Sequence, residues 1–214
     1  MNENSYEIVK MFERSVADYT GAPFAVSVDS CTNALFLSLE YVGVRHEHVC
    51  IPKQTYLSVP QSIMRAGGEP VFADIKWQGV YRLGETNVYD AAKRFTSGMY
   101  LPGSLMCLSF HIKKHLKIGK GGMILTDNKS AANWFRRARY EGRTEGVRYQ
   151  DDDIDMMGWN MYMTPQQASH GLALMQNFPR NNPDIPEDPP YRDLTEFTLF
   201  KDCHVIDGTY NEDN

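Results

Sequence analysis

Ser109-Phe110-His111-Ile112-Lys113-Lys114-His115-Leu116, closed by Gly119-Lys120-Gly121-Gly122, is the stretch around which the rest of the chain organises. Apolar residues precede it over 104–110 and follow it at Met123-Ile124-Leu125-Thr126, so it reads as a loop between two buried strands that are candidates to pair with each other. A serine hydroxyl stands five residues ahead of Lys114, and the glycines that end the loop favour a tight turn. An amine held on such backbone suits carbonyl chemistry, because lysine forms Schiff bases with aldehydes, and pyridoxal phosphate is the usual aldehyde cofactor. A lysine-rich surface loop is the simpler alternative, and the segments on either side weigh against it.

Working outward, strands and helices alternate. Apolar residues at Tyr6, Ile8, Val9, Phe12, Val16 and Tyr19 give a helix over 5–19, stopped at Gly21. Strands follow over 24–28, 48–51 (stopped by Pro52), 70–75 and 87–90, with helices over 34–39, 58–66 and 130–140. The segment 76–86 is polar and irregular, and 194–200 reads as one final strand. Such alternation argues for an α/β layered fold. From residue 178 the chain turns rich in proline and polar groups, which excludes regular helix and gives an extended arm or linker. The expected division is therefore a domain over 1–177 and an arm with tail over 178–214, loose at 209–214.

Composition excludes several classes. With 214 residues, 42% hydrophobic and 23% charged, the chain is an ordinary globular one with a single substantial core. A net charge of -5 does not suggest nucleic-acid binding, and no apolar run is long enough to span a bilayer. Residues 1–5 are polar, without the apolar core of a signal peptide, so the cytoplasm is the expected compartment. Cys31, Cys50, Cys107 and Cys203 are dispersed and read as reduced thiols. His46-Glu47-His48-Val49-Cys50 lacks the usual ligand spacing and reads as a polar turn running into a strand, so no metal is expected. The arginines at 136, 137, 139, 143 and 148 are followed by Asp151, Asp152, Asp153 and Asp155, which gives a solvated face of mixed charge.

Three further segments carry candidate chemistry. Ser30-Cys31-Thr32-Asn33 lies between a strand and an apolar helix, where backbone N–H groups can hold a phosphate; capping of that helix by Ser30 or Thr32 is compatible with the same role. Asp90 ends a short strand and precedes Ala91-Ala92, small enough for a ring to approach, and a carboxylate beside a pyridine nitrogen keeps it protonated. Capping of a following helix is the competing role for Asp90. Tyr56 lies in a loop after a strand, as a platform for a ring or as core packing.

Taken in order from about Phe12 to Met175, these segments resemble the DegT/DnrJ/EryC1/StrS family of sugar aminotransferases. Ser30-Cys31-Thr32-Asn33-Ala34-Leu35 resembles the family's Ser-Gly-Thr-x-Ala-Leu turn. The segments 51–56 and 66–75 are similar to the next strand-helix-strand unit, Asp90-Ala91-Ala92 to the cofactor aspartate motif, and 109–122 to the lysine loop. Gly158-Trp159-Asn160-Met161-Tyr162-Met163-Thr164 with Gln167-Ala168 resembles the Gly-x-Asn-x-Arg-Met segment. The resemblance implies an aspartate-aminotransferase-like sheet (fold type I of pyridoxal-phosphate enzymes) with helices on both faces, truncated and with the small C-terminal domain largely absent.

It further implies pyridoxal phosphate as cofactor, with Lys114 as the Schiff-base lysine and Asp90 as the pyridinium partner. Tyr56 would stack on the ring, while Cys31, Thr32, Asn33 and Ser109 would hold the phosphate. Asn160 would reach the cofactor phosphate of a second subunit, so a homodimer with interfacial sites is implied. The reaction implied is amino transfer from an amino acid onto a keto-sugar of the nucleotide-linked kind. The alternatives are a pyridoxal-phosphate-dependent sugar dehydratase and a silent relative that binds a sugar nucleotide or a partner chain. Departures from the family pattern are Cys31 for its glycine, Tyr162 for its arginine, and Lys93 where glutamine or histidine usually stands near the cofactor's phenolic oxygen. A strand and helix between Ile75 and Asn87 are also missing.

Overall fold

The computed structural model describes residues 6–186 and 190–206. The expectations for residues 1–5 and 209–214 lie outside the described residues.

Chain order alternates as expected. Helix α1 (Glu7–Thr20) leads to β1 (Phe24–Val28), α2 (Cys31–Val42), β2 (His48–Pro52), α3 (Ser58–Arg65) and β3 (Glu69–Ala73). Then come β4 (Tyr81–Arg82), β5 (Val88–Asp90), β6 (Leu105–Ser109), β7 (Gly122–Thr126), α4 (Lys129–Ala138), α5 (Pro165–Met175) and β8 (His204–Ile206). Five strands form a mixed sheet in the order β1-β7-β6-β5-β4, and three form a parallel sheet in the order β2-β3-β8. The sheets meet just past β4, where the Gly84 N–H donates to the Cys50 carbonyl at 2.8 Å. The strands flanking the lysine loop do pair, antiparallel, with Leu108 opposite Met123 and Ser109 opposite Gly122.

Period-two alternation divides the large sheet into two cores. Leu105, Cys107, Ile124, Val26 and Val28 pack with α2 and α4 on one face. Met106, Leu108, Met123, Leu125 and Ala25 pack with α1 and α5 on the other. Helices therefore cover both faces, as the resemblance implied, and the central strands are buried along their length. Between the faces runs a buried ion pair. Glu13 of α1 and Arg139 at the end of α4 lie 2.5 Å apart, and Glu13 also accepts from the Ser27 N–H of β1 at 2.9 Å.

That pair corrects the reading of the arginine stretch. Arg139 is 3% exposed and is also held by Glu145 at 2.6 Å, so it ties three elements together beneath the surface. Arg137 and Arg148 do pair with the acidic residues that follow, Asp155 and Asp151. Other corrections concern the ends of the chain. The segment 194–200 is two short 3-10 turns, Leu194–Glu196 and Thr198–Phe200, because Leu194 and Phe200 turn inward and the Asp193 carboxylate caps the first turn. The last described strand is β8, and neither it nor α5 nor β4 was expected.

The proline-rich arm has no regular structure over 178–186 but is docked along 93–97. Arg94 holds Asp184 through two parallel bonds of 2.8 and 2.7 Å, Asn182 Nδ2 donates to the Phe95 carbonyl at 3.0 Å, and the Ile185 N–H donates to the Lys93 carbonyl at 3.0 Å. Gly79 makes room for this clasp: a Cβ there would fall 2.1 Å from the Asp184 carboxyl carbon.

Candidate active site

The C-terminal ends of β5 and β6, the start of α2 and the lysine loop converge on one cavity of about 370 Å³, within the usual range for a small-molecule site. Its lining includes Cys31, Thr32, Tyr56, Asp90, Lys93, Ser109 and Lys114. Seven of the nine candidate residues thus share one space, drawn from elements far apart in sequence.

The start of α2 is fixed by Ser30, whose hydroxyl accepts from the Asn33 N–H at 3.2 Å. The first N–H groups of a helix lack intrahelical acceptors, and Cys31 and Thr32 hold those positions at the cavity wall. Gly122 is required beside them: a Cβ on it would lie 2.4 Å from the Ser30 carbonyl carbon, so β7 can pass this close to the helix start only without a side chain. Asn33 does not line the cavity. Its amide donates to Asp29 at 2.7 Å and accepts from Arg65 at 3.0 Å, which occupies it in holding the helix start to its surroundings.

Asp90 is 5% exposed, and its two oxygens are fixed separately. Oδ1 accepts from the Ala92 N–H at 2.9 Å, and Oδ2 accepts from the Tyr81 hydroxyl at 3.2 Å. Tyr81 is in turn 2.7 Å from the Thr55 hydroxyl. Burial raises the Asp90 carboxyl above its ordinary value, while the Ala92 N–H, Lys114, Tyr81 and Lys93 oppose the rise. A buried carboxylate in that state gains from a cationic partner placed in the cavity. Lys114 is half-buried, and its charge acts on both Asp90 and Cys31. The Cys31 thiol is pushed well above its usual value, by burial first and by Asp90 second, so it is held neutral.

Lys93 also lines the cavity and is 7% exposed. Its ammonium lies 4.7 Å from the Tyr191 ring centre and 5.6 Å from that of Trp77, and donates to the Pro186 carbonyl at 3.3 Å. The Trp77 and Tyr191 rings are themselves nearly parallel, at 14°. Tyr56 is 52% exposed at the mouth, with its ring 6.2 Å from that of Tyr191. Lys113, Lys120 and His111 complete a basic rim suited to an anion.

Asn160 lies elsewhere. It is exposed, bridges to Tyr140 and donates to Glu141 at 3.2 Å, outside the cavity lining. Sequence reasoning missed the lining residues Thr55, Trp77 and Tyr191, and also Tyr81, which holds Asp90 from outside the lining. Tyr81 sits in a two-residue strand too short to show periodicity, and Tyr191 belongs to the arm, whose return to the site has no local signature. The four cysteines are free thiols, as expected.

Residues 2–101 and 101–184 match the profile of the DegT/DnrJ/EryC1/StrS aminotransferase family. The chain belongs to that family. It is 27% identical over 216 residues to the spore coat polysaccharide biosynthesis protein SpsC of Bacillus subtilis, covering 77% of this chain and 55% of the relative. It is 26% identical over 208 residues to GDP-perosamine synthase of Caulobacter vibrioides, with the same coverage. Among solved structures, AtS13 of Actinomadura melliaura superposes with a TM-score of 0.69 at 19% identity, over 80% of this chain and 60% of that one. The sugar aminotransferase CalS13 of Micromonospora echinospora superposes with a TM-score of 0.67 at 17% identity, over the same shares. The family member described here is therefore a distant relative of sugar-nucleotide aminotransferases that spans just over half the length of the curated proteins it matches. The family uses pyridoxal phosphate. Among the described residues no helix is long and apolar enough to cross a membrane.

Proposed function

We propose that this chain is a cytoplasmic pyridoxal-phosphate-dependent aminotransferase that moves an amino group from an amino acid onto a nucleotide-linked keto-sugar. The observation that carries the reading is the single cavity shared by Lys114, Asp90, Thr32, Ser109 and Tyr56. The names of relatives such as GDP-perosamine synthase support the substrate class.

The residues present fit the cofactor. The wall at Cys31 and Thr32, opened by the side-chain-free Gly122, suits a phosphate, with Ser109 adding a hydroxyl. Buried Asp90 suits a protonated ring nitrogen, and Tyr56 at the mouth offers an aromatic face. When bound, pyridoxal phosphate supplies an electrophilic aldehyde and an electron sink. The protein's own part is then definite. Tyr81 and the Ala92 N–H hold Asp90 in one orientation, so its charge is fixed where a cation must be kept protonated. Lys114 Nζ is the nucleophilic amine and afterwards the base that carries a proton between carbon atoms of the reactants. Lys93, held by Pro186 and two rings, would offer a fixed positive charge to the bound group. Asn160 is exposed, as a residue serving a second subunit's site would be, and the active form is a homodimer.

The test is an assay with amino-acid donor and a nucleotide-linked keto-sugar, scoring amino transfer against loss of water from a deoxysugar. Amino transfer supports the reading. Water loss alone would replace it with the dehydratase, and sugar-nucleotide binding with neither reaction would replace it with a silent binding protein.

A further inference from the structure

His48 opens β2, Glu69 opens β3 and His204 opens β8, the three adjacent strands of the parallel sheet. Register pairs His48 with Glu69, and His204 with Val71, two residues along β3 from Glu69. Because side chains alternate with period two, all three project from one face. Their ligand atoms lie within 4.8 Å of one another, with His48 Nε2 and Glu69 Oε2 3.1 Å apart and the two imidazole rings 5.3 Å apart between centres. Metal–ligand bonds of about 2.0–2.2 Å set tetrahedral ligands roughly 3.3 Å apart. The His48–Glu69 pair already has that spacing, and the exposed ring of His204 reaches it by a movement on the order of an ångström.

We propose that His48, Glu69 and His204 bind one divalent transition-metal ion, with zinc as the representative, the remaining positions being filled by water. Two imidazoles and one carboxylate favour zinc, cobalt or nickel over magnesium or calcium, which prefer all-oxygen shells. The site stands at the opposite end of β2 from the loop bearing Tyr56, so it does not depend on the cofactor reading. Its consequence is structural. β8 is exposed at each of its residues and lies beyond the part of the chain that matches the family, and a metal would fasten it to β2 and β3. Without a metal, His48 and Glu69 share a hydrogen bond with both side chains about 60% exposed, the kind of surface contact that contributes little.

The experiment is calorimetric titration of the untagged full chain with zinc chloride, alongside magnesium chloride. Wild type should bind one zinc and no magnesium. His48→Ala, Glu69→Ala and His204→Ala should each weaken binding by more than about tenfold, the loss that even outer-shell partners produce. Cys203→Ser should bind as wild type. Zinc should also slow amide hydrogen exchange at 204–206 in wild type and not in His48→Ala. Undiminished binding in His204→Ala, binding lost in Cys203→Ser, or no one-to-one binding in wild type would overturn the site.

Discussion

Two walls of the same cavity are built by opposite means. The wall bearing Asp90, Ser109 and the start of α2 rests on strands buried along their length and on a helix start held by its own capping serine. The wall bearing Tyr191 belongs to the arm, fastened by scattered hydrogen bonds and one doubly bonded ion pair, and the chain beyond it ends its described course in an exposed strand. The first wall cannot shift without opening a core, whereas the second rests over 178–186 on hydrogen bonds and rejoins the core only at Leu194 and Phe200. On the proposed reading, chemistry belongs to the rigid wall and access to the arm.

The strongest way to break this comparison is at Asp90. Asp90→Asn should lower amino transfer by on the order of 10²–10⁴-fold, measured as turnover with saturating cofactor. The same variant should make the cofactor-free chain slightly more stable at neutral pH. Asp90 is raised in the fold, so the native state favours its protonated form; stability in the cofactor-free chain falls as pH rises from the ordinary carboxylate range through that raised value. Thermal melts against pH should show this decline in wild type and a flatter profile in Asp90→Asn.

Next in size is the anchor beneath the rigid wall. Glu13→Ala leaves Arg139 buried without its main partner and should cost roughly 3–5 kcal/mol in denaturant unfolding. Recovery of most of that loss in a Glu13→Leu, Arg139→Met double variant would show that the pair's burial, more than its attraction, sets the penalty.

The arm should respond more weakly. Asp184→Ala removes both bonds to Arg94, and the global unfolding free energy should change by about 1–2 kcal/mol while protease cleavage within 177–186 accelerates. Arg94 holds the Asp184 carboxyl below its ordinary value, so this stabilisation is present above the unfolded-state value and lost as pH falls through the depressed one. The arm should thus loosen in acid before the core melts, read by cleavage rate against pH. The smallest effect should follow Tyr81→Phe, which removes one donor to Asp90 and should cost about 1 kcal/mol.

What was legible in the sequence follows the same division. The strand Phe24–Val28 and the lysine loop with its flanking strands announce themselves through local pattern, since apolar runs bounded by glycine leave few alternatives. Cys31, Thr32, Asp90 and Ser109 stand where an element begins or ends and Lys114 stands in the loop between β6 and β7, positions that leave a local signature in the sequence. Tyr191 and Trp77 were not, because they meet only through docking of the arm, and no periodicity encodes that. The segment 194–200 has the residue types of a strand, yet burial of Leu194 and Phe200 with a capping Asp193 turns it into 3-10 turns. Arg139 looked like one of a solvated series because its partner Glu13 lies on a helix at the other end of the chain.

The most direct measurement is the absorbance of the purified chain with pyridoxal phosphate, followed by borohydride reduction and peptide mapping. A band at the edge of the visible that fades on reduction, with the added mass on Lys114 and no band in Lys114→Ala, is the predicted result. A band that persists in Lys114→Ala, or label confined to Lys113 or Lys120, would contradict the assignment of the reactive amine.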